Sequence, residues 1–96
     1  MTTSGVLAQE PFDASAPWRL SPQVALRDEA FGALAYHYGN RRLIFLKSKE
    51  VLEVVRQLEH YDSADAAIDA VVGAARRPAY RQALASLERS EVLVAR

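Results

Sequence analysis

The spacing of apolar and polar positions changes once along this chain, near Ser48, from a period of two to a period close to 3.6. Before that point Gln23-Val-Ala-Leu-Arg-Asp28 alternates, with Val24 and Leu26 on one face and Ala25 and Arg27 on the other. A short Asp28-Glu29-Ala30 link leads into a second alternating stretch, Phe31 to Tyr38, and Gly39-Asn40 then turns the chain into Arg41-Arg-Leu-Ile-Phe-Leu46. Gly-Asn between two apolar runs is a hairpin signal. Centred there, the turn pairs Tyr38 with Arg41, His37 with Arg42, Tyr36 with Leu43, Ala35 with Ile44 and Leu34 with Phe45. One hairpin face carries Leu34, Tyr36, Leu43 and Phe45, with Tyr38 and Arg41 at its tip, and reads as the core face. The other carries Ala33, Ala35, His37, Arg42, Ile44 and Leu46, which is more apolar than contact with solvent explains. Three strands with short connections predict an antiparallel meander whose third strand lies at an edge.

From Ser48 onward the pattern is helical. Ser48 is a good N-cap, although no Glu or Gln sits three residues on. Val51, Leu52, Val55 and Leu58 form one stripe with Val54 at its border, predicting a helix from Lys49 to Glu59 or His60. Tyr61-Asp62 breaks it, and Ser63 caps a second helix with the stripe Ala64, Ala67, Ile68, Val71 and Val72. Asp65 in its first turn suits the helix dipole, and Gly73 is a natural stop. Pro78 fits the first turn of a third helix, roughly Ala79 to Arg89, with Tyr80, Ala83, Leu84 and Leu87 as its stripe. Val92-Leu-Val94 reads equally as a last helical turn, a small strand or a plug over the core.

Residues 1–16, rich in Thr, Ser, Ala and Pro, read as a flexible N-terminal tail, and 17–96 as one domain with Trp18 as a packing anchor. The fold class is α+β: a three-stranded antiparallel sheet followed by three helices, an inventory that fits a winged-helix-like layout.

Composition narrows the function. The chain has 96 residues, too few for a catalytic domain plus a cofactor domain. The absence of cysteine excludes disulfides, thiolate metal sites and thiol catalysis. Twelve Lys and Arg balance 12 Asp and Glu, so no global field draws in nucleic acid or an anionic membrane. There is no secretory signal and no apolar stretch of membrane-spanning length, which makes a cytoplasmic location the default expectation.

Candidate chemistry is sparse. His37 and His60 lack ligand-like spacing and read as ordinary half-exposed histidines, so no metal site is expected. Asp62, Asp65 and Asp69 surround a helix start, where carboxylates are favourable anyway. No phosphate-cradling loop or nucleophile motif is present, so neither an enzyme nor a cofactor of its own is expected. Arg76, Arg77 and Arg81 cluster at the start of the third helix, where cations oppose the dipole. They read either as a solvated corner neutralised by Glu88, Asp69 or the tail, or as contacts for phosphate or an acidic peptide. The edge strand Arg42 to Leu46 is the second candidate, because its middle lacks the charge or proline that normally blunts an edge. A guest peptide can complete such an edge by strand addition.

Trp18-Arg-Leu-Ser-Pro22, Val24-Ala-Leu-Arg27, Phe31 to Leu43 and Phe45-Leu-Lys-Ser48 together resemble the MftB family of mycofactocin-system peptide chaperones. The likeness extends less distinctively through Tyr61-Asp-Ser-Ala64 and Tyr80-Arg-Gln-Ala-Leu-Ala85. That family is one of the RiPP recognition elements and is similar to the pyrroloquinoline quinone chaperone PqqD. The resemblance implies a protein that binds the leader of a ribosomally made precursor peptide and presents it to a radical S-adenosylmethionine (SAM) maturase. It implies that the leader adds beside the third strand and lies against the third helix. The peptide-binding residues expected on that basis are Arg41, Arg42, Leu43, Ile44, Phe45 and Leu46 on the strand, with Arg77, Tyr80, Arg81, Leu84, Leu87 and Glu88 on the helix. The resemblance also implies an acidic leader, which suits the arginines, and a partner that carries the iron–sulfur cluster and S-adenosylmethionine. Two other readings use the same features: a winged-helix nucleic-acid binder built on the arginines, and a homodimer that pairs the edge strand with itself.

Overall fold

The computed structural model describes residues 12–96, in the order β1 (Trp18–Leu20), β2 (Val24–Glu29), β3 (Gly32–His37), β4 (Leu43–Leu46), α1 (Lys49–Gln57), α2 (Ala64–Val71), α3 (Arg77–Arg89) and β5 (Leu93–Ala95). Short 3-10 turns at Leu58–His60 and Ala74–Arg76 follow α1 and precede α3. β2, β3 and β4 form an antiparallel sheet in that order, so among the described residues β4 is an edge. The β3–β4 register sets Tyr36 opposite Leu43, Ala35 opposite Ile44 and Leu34 opposite Phe45, as the hairpin pattern predicts.

The turn itself is wider than two residues. The Arg41 N–H donates to the His37 carbonyl, the His37 N–H donates to the Arg42 carbonyl, and Arg41 holds the left-handed conformation at φ 65°. The Tyr38–Arg41 pair is therefore absent, and the Tyr38 N–H bonds the Gln23 carbonyl instead. His37 is buried rather than half-exposed, and its Nδ1 accepts the N–H groups of Gly39 (3.0 Å) and Asn40 (3.1 Å), which holds the loop closed.

The core lies on the opposite hairpin face from the one expected. Ala33 and Ala35 are 0 % exposed and Leu46 is buried, whereas Leu43 is 52 % and Phe45 54 % exposed. The reason is side-chain size: the alanines let α1 approach the sheet closely, and Val54, Val55 and Leu58 fill the layer between them. The larger residues Tyr36, Leu43 and Phe45 are left outside. Along α1 the stripe is correspondingly rotated. Val54 is fully buried, while Val51 sits half-exposed at the border.

The helices start where their caps predict. Ser48 Oγ accepts the Val51 N–H, and Ser63 Oγ accepts the Ala66 N–H. Two further donors in the first turn of α2, from Ala64 and Asp65, are taken by the carbonyls of Ala16 and Ala14. Residues 12–16, inside the expected tail, are thus seated on the domain; Phe12 stacks on Trp18, whose Nε1 donates to the Asp13 carbonyl. The rest of that stretch lies outside the described residues.

The terminal apolar run forms a strand at Leu93–Ala95. β5 pairs antiparallel with β1, Leu20 opposite Leu93, in a two-stranded sheet that the alternation did not reveal. α3 ends in a Schellman motif: the Val92 N–H reaches the Leu87 carbonyl, the Glu91 N–H reaches the Glu88 carbonyl, and Glu91 is left-handed at φ 67°. Among the described residues no helix is long and apolar enough to cross a membrane.

Candidate functional site

β4 ends at Leu46 because Ser48 caps α1 two residues later, so the chain leaves the sheet, and among the described residues β4 has a partner on one side only. In an antiparallel ladder, residues alternate between bonding the neighbour and facing away. The His37 N–H bond to the Arg42 carbonyl fixes the phase. Ile44 and Leu46 therefore bond β3, while the N–H and C=O groups of Leu43 and Phe45 point out of the sheet.

Beside this edge runs a groove between β4 and α3. A hollow of about 300 Å³ is lined by Ile44, Phe45, Leu46, Lys47, Val51, Ala83, Ser86 and Leu87. It shares Ser48, Val51 and Ala83 with a second hollow of about 340 Å³ that also touches Glu50, Arg76, Ala79 and Tyr80. Ala79, Ala83 and Ser86 follow one another at helical spacing, and their small side chains leave the space open. The Tyr80 ring, mostly buried, lies under the Arg76 guanidinium at 5.3 Å. At the same end the Glu50 carboxyl is held below its usual range, first by its own backbone N–H and then by the Ser48 hydroxyl, with Arg76 adding a smaller pull.

Eight of the twelve residues expected at a peptide site fall on this edge or groove. Ile44, Phe45, Leu46 and Leu87 line the first hollow and Tyr80 the second; Arg41, Arg42 and Leu43 stand at the exposed start of the edge. The other four do not. Leu84 is fully buried in the core. Glu88 lines a separate hollow with Trp18, His37 and Glu91. Arg77 and Arg81 are on the α2 side of α3, each in a two-pronged pair: Arg77 Nε reaches Asp69 at 2.8 Å, and Arg81 reaches Asp65 at 2.9 and 2.7 Å. Those hydrogen bonds hold both carboxyls below the usual carboxylate range. Of the three clustered arginines, Arg76 alone borders the groove. The signal that would have found Ala79 and Ser86 is the flank of small residues next to the stripe of α3; Val51 and Ala83, read from the sequence as core positions of α1 and α3, line the groove instead.

Among the described residues no group of three or more His, Asp or Glu side chains is placed to hold a metal ion. The site offers backbone donors and acceptors, an apolar trough and flanking cations, which is equipment for binding an extended chain.

The sequence profile described as the Peptide chaperone MftB family matches residues 17–94. A protein named Peptide chaperone MftB from Mycolicibacterium smegmatis is 46 % identical over 90 residues, covering 93 % of this chain and 88 % of that one. Its namesake from Mycobacterium tuberculosis is 46 % identical over 86 residues, covering 88 % and 79 %, and that from Mycobacterium ulcerans 46 % over 84 residues, covering 86 % and 77 %. No solved structure matches the chain. The match spans both sheets, all three helices and the groove between them, and the chain belongs to the peptide chaperone MftB family.

Proposed function

We propose that this chaperone captures the leader of a precursor peptide as a fourth strand beside β4 and presents it, still attached, to a radical S-adenosylmethionine maturase. The observation that carries this reading is the open edge at Leu43 and Phe45 lying directly beside the β4–α3 groove. A strand laid there bonds the outward N–H and C=O groups of both residues. Four such bonds contribute about 0.5–1.5 kcal/mol each, and one or two apolar side chains seated in the groove bring the total to micromolar affinity. The chain itself carries out no reaction in this scheme; the redox chemistry and its cofactors reside in the maturase.

Charge selects the guest. Arg41, Arg42 and Lys47 flank the edge and Arg76 borders the far hollow, so acidic residues in the leader are favoured. The same charges oppose self-pairing, because two copies of β4 paired antiparallel about Ile44 set Arg41 of one against Lys47 of the other. The nucleic-acid reading loses its main motive, since Arg77 and Arg81 are engaged with Asp69 and Asp65.

Calorimetric titration with an acidic leader peptide tests the scheme. Phe45→Pro removes an outward N–H while leaving the β3–β4 bonds intact, and Phe45→Ala removes the ring but keeps the N–H. Leader affinity is expected to fall about tenfold further in the proline variant than in the alanine variant. Equal affinities would show that the leader does not bond this edge.

A further inference from the structure

The sheet face turned away from the helices carries a second surface, which adjoins the leader edge at Leu43 and Phe45. Tyr36 and Leu43 share one cross-strand row with Ala25, and Leu34 and Phe45 share the next with Arg27. Phe31 stacks on Phe45 with ring centroids 5.8 Å apart, and Tyr38 meets Tyr36 edge-on at 5.2 Å. Five of these large side chains are more than a third exposed. Isolated exposed apolar residues need no explanation, but a contiguous sheet of them marks an interaction surface.

We infer that this outer face docks the maturase, so that the leader bonds the backbone edge of β4 while the enzyme covers the adjoining aromatic face of the sheet. The inference rests on the proposed leader-presenting role. An added strand lies about 4.8 Å beyond β4 and completes the edge without crossing the face. Covering Phe31, Tyr36 and Tyr38 together takes a folded surface laid across the strands. The charges around the patch define that surface further. Arg41 stands in the loop between β3 and β4 and Lys47 past the end of β4, while on β2 Arg27 and Glu29, both in phase with the patch, bond each other at 2.7 Å. An apolar centre with a basic rim fits an enzyme surface with an apolar centre and an acidic rim. Leu34 and Leu43 at the centre favour protein over a single-stranded nucleic acid, which would need cations and open rings there.

The test uses the purified maturase as probe, with Phe31→Ser/Tyr38→Ser and Arg27→Glu as variants, since none of these residues lies in β4 or the groove. Binding to the enzyme is followed by interferometry and binding to the leader by calorimetry. The double variant is expected to bind the enzyme at least about tenfold more weakly and the leader as wild type does, and Arg27→Glu to weaken enzyme binding and reduce its salt dependence. Unchanged enzyme binding by the double variant overturns the docking assignment and leaves the leader-binding role standing. So does joint loss of leader binding, or a wild-type dimer or oligonucleotide complex that the double variant abolishes. Failure of wild type to bind the leader, or to bind the enzyme, overturns the presenting role and the docking surface together.

Discussion

A Cβ placed on Gly32 would sit 2.1 Å from the carbonyl oxygen of Leu46, in the last pair of the β3–β4 ladder. Gly32 also has φ +151°, where a side chain is strained whatever the space. The position of β4, and with it the open edge, therefore depends on a glycine one strand away. Gly32→Ala is expected to cost roughly 3 kcal/mol and to weaken leader binding as β4 shifts. Gly73→Ala, at φ +97° with no neighbour within 4 Å, carries backbone strain alone and costs roughly 1 kcal/mol. Chemical denaturation of the two variants checks the contrast, and equal losses would remove the clash from the account.

The paired aspartates give an acid dependence with a definite sign. Asp65 and Asp69 are held below their ordinary values by hydrogen bonds from Arg81 and Arg77. Folded carboxyls with depressed pKa values stabilise the fold fully above the unfolded value of about 4, and that contribution disappears as pH falls through the folded values. The melting temperature of wild type is expected to drop across this acidic range, and that of Asp65→Asn/Asp69→Asn to drop less. Both pairs are partly exposed, so the effect is modest and shrinks in salt. Parallel pH profiles would show that the pairs contribute nothing to stability.

Glu91 occupies the left-handed position after α3 that glycine usually fills. Glu91→Gly keeps both Schellman bonds, relieves the strain and is expected to stabilise the fold by about 1 kcal/mol. Thermal melts decide it; a destabilised variant would mean that the Glu91 side chain makes a contribution larger than the strain.

Ala83 is half-buried and borders both hollows of the groove. Ala83→Leu fills that space from a helical site that tolerates leucine, so stability is expected to change little while leader affinity falls by roughly tenfold. Undiminished affinity would place the leader's side chains elsewhere.

Much of the fold was legible where local chemistry decides. Ser48 and Ser63 announced the helix starts, Gly73 the stop after α2, and the match of Leu34 with Phe45 followed from counting outward from the hairpin turn. The same counting succeeded although the turn holds four residues, because both loops keep the same residues opposite. The inner face was not legible from size. Alanine looks like weak core until a helix is known to press against it, and Phe45 looks like core until no helix is found above it. β1 and β5 are three residues each, too short to show a period, and their pairing is a contact between chain ends. The arginines could have been assigned: Asp65 and Asp69 repeat at the same interval of four as Arg77 and Arg81, as facing antiparallel helices require. What remained visible at the site was the bare strand; the alanine-lined trough beside it was not, because a groove is defined by absent side chains.

Amide hydrogen exchange at four consecutive residues of β4 tests the central claim most directly. In the free protein the N–H groups of Ile44 and Leu46, bonded to β3, should exchange slowly, and those of Leu43 and Phe45 should exchange fast. Saturation with the leader peptide should slow Leu43 and Phe45 and leave Ile44 and Leu46 as they were. Fast exchange at Leu43 and Phe45 in the fully bound protein would contradict strand addition at this edge.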